Sequence, residues 1–394
     1  MIFLDNIATT KPDERVVKKM LEYLTKNYGN PSAHFYQLGR DAFEAVVCAR
    51  EKVAELINCL PDNIIFTSCG TESNNLAIKG TIYNMKSKGK NHIIVSELEH
   101  YSVLNSALKL TGEEDLELTK LKVDEHGFVD VDRLARAIKD STALVAIHHA
   151  NPEIGTIQNI EDIGRICKEK NVLFFVDAVA SCGHIPVDVE GFNCDLLSIA
   201  AQNFYGPKGA GALYVRDDIS LRPLLDGGFQ ERGLRAGTEN VPAIVGMGEA
   251  ASIAKNEMPM YTERMKRLGS KLIDGIRENV NFVHFTGSLT RRLPGHVSLW
   301  VEYIEGESIL LWLSLKDICA TSGSACSSNI MGDDERSLKA SHVLSAIGVP
   351  DDICAGSVTF SMSKYTDEKE IDYLLKVFPE IVERLCKMSP FYNK

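Results

Sequence analysis

No run in this sequence approaches the roughly 20 apolar residues that a membrane-spanning helix needs, so integral-membrane roles are set aside at once. Its opening, MIFLDNIATTKPDER, puts acids and polar residues where a secretory signal needs an apolar stretch, and the expected location is the cytoplasm. Positive charge is in short supply. The 43 Lys and Arg against 54 Asp and Glu leave a net charge of -11, too acidic to hold a phosphate backbone, so nucleic acid is not an expected partner. The cysteines lack both the C-x-x-C spacing of a zinc site and the density of a disulfide scaffold. Repeats, low-complexity tracts and long linkers are missing too. Small molecules and proteins remain as partner classes.

What is present is a 394-residue chain, 44% hydrophobic and 25% charged, able to bury a sizeable core as one large or two ordinary domains. From about residue 60 to 250, the apolar runs IIFTS, HIIVS, ALVAIHH, VLFFVDA, DLLSIAA and GALYVR alternate with helical stretches such as IEDIGRICKEK. That alternation predicts an α/β fold with a mostly parallel sheet, whose active groups gather at the carboxyl ends of its strands. After about residue 260 the pattern becomes a long helix (MYTERMKRLGSKLIDGIREN), strand-like HVSLWVEYI, a helix (GESILLWLSLK), strand SVTFSMS and a closing helix opened by Thr366 and Asp367. The expected division is a large domain over 1–255 and a smaller α+β domain over 256–394, with the N-terminal segment packing on the latter.

Several polar residues sit where strands should end. In FTSCGTESNN, Gly70 turns a strand into a helix beginning Thr71-Glu72, either an ordinary capped helix or a helix N-terminus aimed at an anion such as phosphate. His100, in SELEHYS, is either structural or placed to stack on a flat ring or relay a proton. Asp177 closes the apolar run FFVDA, and an acid in such company usually has a cationic partner or a task. Cys326 lies in the small, polar loop SGSACSS, a setting for an exposed thiol, working or incidental.

In order and along nearly the whole chain, DNIATTKPDERV, YGNPSAHFYQLGR, FTSCGTESNNLAIKG, HANPEIGTIQ, VDAVAS, YGPKGAGALYV, GLRAGTENVPAIVG, IEGESILLWL, ATSGSACSS and SHVLSAIGV resemble the NifS/IscS cysteine desulfurases. The resemblance implies a type I fold of enzymes using pyridoxal phosphate (PLP), a homodimer with composite active sites, and sulfur mobilisation for iron–sulfur clusters or thiolated products. It assigns PLP contacts to Gly70, Thr71, His100, Asp177 and, across the dimer, Thr238. Cys326 becomes the sulfur-carrying thiol.

The same resemblance exposes departures. The family's Ser-Ala-His-Lys before YGPKG is here Ala200-Ala201-Gln202-Asn203, so Asn203 stands at the Schiff-base lysine, and a carboxamide is neither basic nor nucleophilic. Ala200 and Gln202 lose a phosphate-binding hydroxyl and a histidine. Pro152 replaces a ring-contacting asparagine, Ala180 a glutamine at the phenolic oxygen, and Thr359 the arginine that grips the substrate carboxylate. Lys208 in GPKG matches a lysine the family already has there.

These losses lead to the expectation of no covalent PLP, with PLP weak or absent and an iron–sulfur cluster shared at Cys326, which would then be a metal ligand. The function expected first is sulfur trafficking or cluster assembly, with Cys326 accepting persulfide or sulfide, or ligating a cluster, beside an IscU-like scaffold or other sulfur acceptor. A second reading is a working cysteine desulfurase with non-covalent PLP, His100 serving as base. A third is a regulatory or repurposed protein with another substrate. The acidic stretch NIMGDDERSLKA after Cys326 is either a surface insertion or a modifier of how that thiol reaches a partner.

Overall fold

The computed structural model describes residues 1–322, 341–350, 357–390 and 392. In chain order the elements are β1 (Ile2–Phe3), α1 (Glu14–Thr25), α2 (Gln37–Ile57), β2 (Ile64–Thr67), α3 (Gly70–Met85), β3 (His92–Ser96) and α4 (Tyr101–Glu113). There follow β4 (Glu117–Leu121), α5 (Val131–Ala137), β5 (Thr142–His148), α6 (Ile160–Glu169), β6 (Leu173–Asp177), β7 (Leu196–Ala200) and β8 (Gly211–Val215). The chain continues through α7 (Val241–Asn279), β9 (Val283–Phe285), β10 (His296–Val301), α8 (Gly306–Ser314), β11 (Ile318–Cys319), α9 (His342–Ala346), β12 (Ser357–Ser361) and α10 (Glu368–Met388).

Seven strands form the main sheet in the order β2-β8-β7-β6-β5-β3-β4, with only β8 antiparallel to its neighbours. The six apolar runs read from the sequence are all of its strands but β4. Their residues alternate between two buried clusters: Ile94, Val145, Ile147, Phe174 and Val176 on one face, Ile93, Val95, Leu144, Ala146 and Phe175 on the other. Period-two alternation with both faces apolar is what a sheet covered by helices on each side requires. The edge strand β4 went unread because polar residues interrupt it and only Leu121 is buried, leaving no apolar run to see.

A second core joins the C-terminal half of α7 (Met265, Leu268, Leu272) to β10, β12, α8 and α10. The three-stranded antiparallel sheet β12-β10-β9 lines it. β1 pairs with β11, and Asp5 bridges Ser361, so the N-terminus lies against this core. Helix α7 corrects the expected start near residue 260: it is one 39-residue helix containing Pro259. Pro259 is exposed, so the backbone carbonyl it leaves unbonded opens to water, while burial of both helix halves outweighs the local break. The expected boundary at residue 255 therefore falls within a continuous helix.

Candidate active site

The carboxyl ends of β3, β5, β6 and β7 meet along one edge of the sheet, and Ser96, His148, Asp177 and Ala200 are their last residues. Asp177 is buried among neutral donors. Asn74 Nδ2 donates to Oδ2 at 2.7 Å, the Val179 N–H donates to Oδ1 at 3.0 Å, and Ser198 Oγ approaches Oδ1 at 3.4 Å. Burial pushes this carboxyl above its ordinary range, against the pull of the Val179 N–H and of nearby His100. No cation forms an ion pair with it among the described residues.

Asn74 extends the network outward. It also donates to Ser102 Oγ at 2.8 Å, and Ser102 Oγ lies 2.6 Å from His100 Nδ1. His100 caps α4, its Nδ1 accepting the Ser102 N–H at 3.1 Å. An acceptor role for Nδ1 places the proton of the neutral ring on Nε2. His100 and Thr71 line a common cleft of about 390 Å³ with Asn75, Lys79 and Tyr101. A continuous chain of contacts thus runs from the cleft to Asp177 through His100, Ser102 and Asn74.

Gly70 is the first residue of α3, and a Cβ there would come within 2.6 Å of Val179 Cγ2. Glycine is what lets the helix start abut the turn that follows Asp177. Thr71 is exposed on the first turn of α3, where free backbone N–H groups favour an anion. Thr238 is exposed in the loop before α7 and lines a different cleft, with Ser68, Gly209 and Arg235.

The turn carrying Asn203 follows β7 directly. Thr10 clasps it, bonding the Gln202 carbonyl through both N–H and Oγ1 at 2.8 Å, and its Oγ1 accepts the Tyr205 N–H at 2.8 Å. Asn203 is 3% exposed, and its Nδ2 donates to the Ile7 carbonyl at 2.9 Å, while Oδ1 is buried without a partner. Ala200 ends β7 opposite Gly211, and Ala180 sits in a small apolar cluster with Ala150 and Leu293. Lys208 is exposed.

Pro152 offers its carbonyl to His296 Nε2 at 2.9 Å. Thr359, buried in β12, donates from Oγ1 to the Glu153 carbonyl at 3.3 Å and lies 3.4 Å from Ser298 Oγ. Glu153 is half-buried beside Ser341 with one carboxylate oxygen buried and unpartnered, and desolvation pushes its pKa up to about 7. Sequence reasoning missed Asn74, Ser102, Ser198 and Glu153 as members of this neighbourhood. The polar run SNN after Gly70 was the one available signal; the others become partners only through the fold. Cys326 lies outside the described residues. Among those described, no cluster of His, Cys, Asp and Glu has the makings of a metal site.

The chain matches the model of the family described as aminotransferase class-V over residues 2–374. It is 46% identical over 393 residues to the cysteine desulfurase IscS of Methanosarcina thermophila, covering 100% of this chain and 95% of the relative. It is 44% identical to that of Dictyoglomus turgidum, covering 99% of this chain and 96% of the relative. A solved NifS-like protein superposes with a TM-score of 0.89 at 37% identity, covering 98% of this chain and all of that one. The apo structure of a cysteine desulfurase from Thermococcus onnurineus gives 0.87 at 27% identity, over 98% of this chain and 95% of the other.

These likenesses correct the expectation of no covalent PLP and of PLP weak or absent, replaced by a cluster shared at Cys326. Proteins similar to this one from end to end are named for a PLP-dependent activity. The site itself gives the physical reason. A buried carboxylate at Asp177 without a cation fits a cationic ring nitrogen, and the α3 N-terminus fits a phosphate. The substitutions at Pro152, Ala180, Ala200, Gln202 and Asn203 leave both features standing.

Proposed function

Because the chain belongs to the aminotransferase class-V family, among the cysteine desulfurases of IscS and NifS type, we propose that it mobilises sulfur from cysteine with PLP bound at the Asp177 edge of the sheet. The observation that carries this reading is the buried Asp177 carboxylate, surrounded by neutral donors and joined by hydrogen bonds to His100 in the cleft. In it, Asp177 holds the ring nitrogen and Thr71 with the first turn of α3 receives the phosphate. When bound, PLP supplies the electron sink that lets the substrate's carbon–sulfur bond be broken.

His100 presents Nε2–H to the cleft and is the group there best placed to move a proton, since Ser102 fixes its tautomer. Cys326 takes the sulfur: cysteine and the Cys326 thiol go to alanine and a Cys326 persulfide, which a protein acceptor then collects. Thr238 completes the partner's site in a homodimer. The Asn203 amide, bonded to the Ile7 carbonyl, holds the turn after β7 against the start of the chain beside this site.

The test is to incubate the purified protein with PLP and cysteine, record the bound-cofactor absorbance band, and quantify alanine and sulfide. Alanine formed in step with persulfide on Cys326, and lost in Cys326→Ser, is the expected result. A specific observation favours a second reading, in which Cys326 only relays sulfur supplied by another protein: the Asn203 amide is spent on Ile7. Persulfide appearing on Cys326 from an added persulfide donor, with no alanine from cysteine, would select that reading.

A further inference from the structure

Behind Asp177 lies a second pair of buried ionisable groups that the desulfurase reading does not use. His148 ends β5 and is the direct cross-strand partner of Asp177. Its Nδ1 sits 2.9 Å from Glu99 Oε1, and side-chain exposures of 4% and 0% leave this ion pair in the interior. Ser96 Oγ donates to the same Glu99 oxygen at 2.5 Å. The other atoms of the pair, His148 Nε2 and Glu99 Oε2, are buried without partners. Three ionisable side chains thus share one dry corner beneath the cleft.

Charge arithmetic gives this corner a meaning. Two carboxylates side by side in a medium of low dielectric cannot both stay ionised unless a positive charge stands between them. We propose that the Glu99–His148 pair is the charge-setting device of the site: protonated His148 cancels Glu99, leaving the single negative charge of the corner on Asp177 for a cationic ring. His148 is thereby a positioning residue acting through Asp177. This inference rests on the reading of Asp177 as the ring's partner.

The surroundings agree. Glu99 holds the His148 proton affinity above its ordinary value despite burial, with Asp177 adding to the effect. Among the described residues, the other titratable groups acting on this corner are histidines. His149, next along the chain, is kept neutral by burial and by His148, His342 Nε2 donates to the Glu99 carbonyl at 3.1 Å, and His100 acts on Asp177 from the cleft. Among the described residues, neither Glu99 nor Asp177 has a lysine or arginine as an ion-pair partner. Because the folded-state proton affinity of His148 is raised, its charge is complete below the unfolded value and is lost as pH rises through the folded one. Above that point Glu99 and Asp177 stand uncompensated, and one of them must take up a proton.

The test begins without cofactor. In full-length protein carrying ¹³C-labelled histidine, the resonance absent from His148→Gln is His148, and its titration midpoint is expected above the ordinary imidazole value of about 6.5. Glu99→Gln is expected to lower that midpoint by about one unit, a tenfold drop in proton affinity. A wild-type midpoint at or below the ordinary value, or one unmoved by Glu99→Gln, overturns the proposal.

The second arm is PLP binding by absorbance titration across pH. Wild type is expected to lose affinity on the alkaline side, whereas His148→Gln binds about tenfold more weakly at neutral pH, with that alkaline loss gone. A merely structural pair would lower thermal stability in His148→Gln and leave the pH profile of binding unchanged, which also overturns the proposal. Failure of the wild type to bind PLP would sink the reading of Asp177 instead, while the titration arm still judges the charge pairing.

Discussion

Asp177 and Asn203 stand at the ends of adjacent strands, β6 and β7, yet the fold treats them oppositely. Asp177 meets neutral donors and has no counter-ion pair among the described residues. Asn203 is sewn into the chain's beginning, its amide spent on Ile7 and its turn clasped by Thr10. One side chain is left ready for a visitor and the other serves the scaffold. Neighbouring positions at a strand edge can therefore be divided between ligand and fold, and counting family residues at the edge misses that division.

The sharpest way to break this contrast is Asp177→Asn. PLP affinity, read by absorbance titration, is expected to fall about 100-fold, or ~2.7 kcal/mol, because a charge-assisted contact becomes a neutral one. Unliganded protein should respond in the opposite sense. Burial raises the carboxyl's folded pKa, so stability falls as pH climbs from the unfolded value, and the asparagine variant escapes that loss. Unchanged affinity would remove Asp177 from the cofactor site.

Glu153, on the Thr359 side of the site, extends the comparison to a second, half-buried acid. Its folded pKa of about 7 lies above the unfolded value of about 4.3, so stability is lost as pH rises through that window. Glu153→Gln is expected to be roughly 2 kcal/mol more stable than wild type at pH 8 and little changed at pH 4 in denaturant melts. Equal melts at both pH values would show that Glu153 stays ionised when folded.

A smaller effect is expected at the scaffold member of the pair. Asn203→Ala removes the bond to the Ile7 carbonyl and also an unpartnered oxygen, so the net loss should be about 1 kcal/mol in urea unfolding. Asn203→Lys adds an amine at this turn, and a bound-PLP band that resists dialysis is the expected gain. The smallest effect belongs to exposed Lys208. Lys208→Ala should alter stability by less than about 0.5 kcal/mol and leave PLP retention unchanged; loss of retention would identify it as a cofactor anchor.

Much of this architecture was readable beforehand, since each central strand announced itself as an apolar run bounded by turns. The strand-end positions of Gly70, Thr71, His100 and Asp177 followed from the same pattern. The reading faltered where it counted substitutions: Pro152, Ala180, Ala200 and Gln202 looked like the dismantling of a pocket. In the structure Ala180 and Ala200 are packed apolar positions, the Pro152 carbonyl holds His296, and the Gln202 carbonyl holds Thr10. These positions serve the scaffold through packing and backbone carbonyls, which a list of side chains does not record.

By itself the sequence determined the sheet, the family likeness and the strand-end acid, because apolar periodicity and motif order are properties of the chain read in line. Only the tertiary structure decided which polar groups meet. Asn74 reaches Asp177 across 103 residues, Asn203 reaches Ile7 across 196, and His148 reaches Glu99 across 49. A hydrogen bond forms only when its partners come within about 3 Å in space, so separation along the chain carries no trace of it.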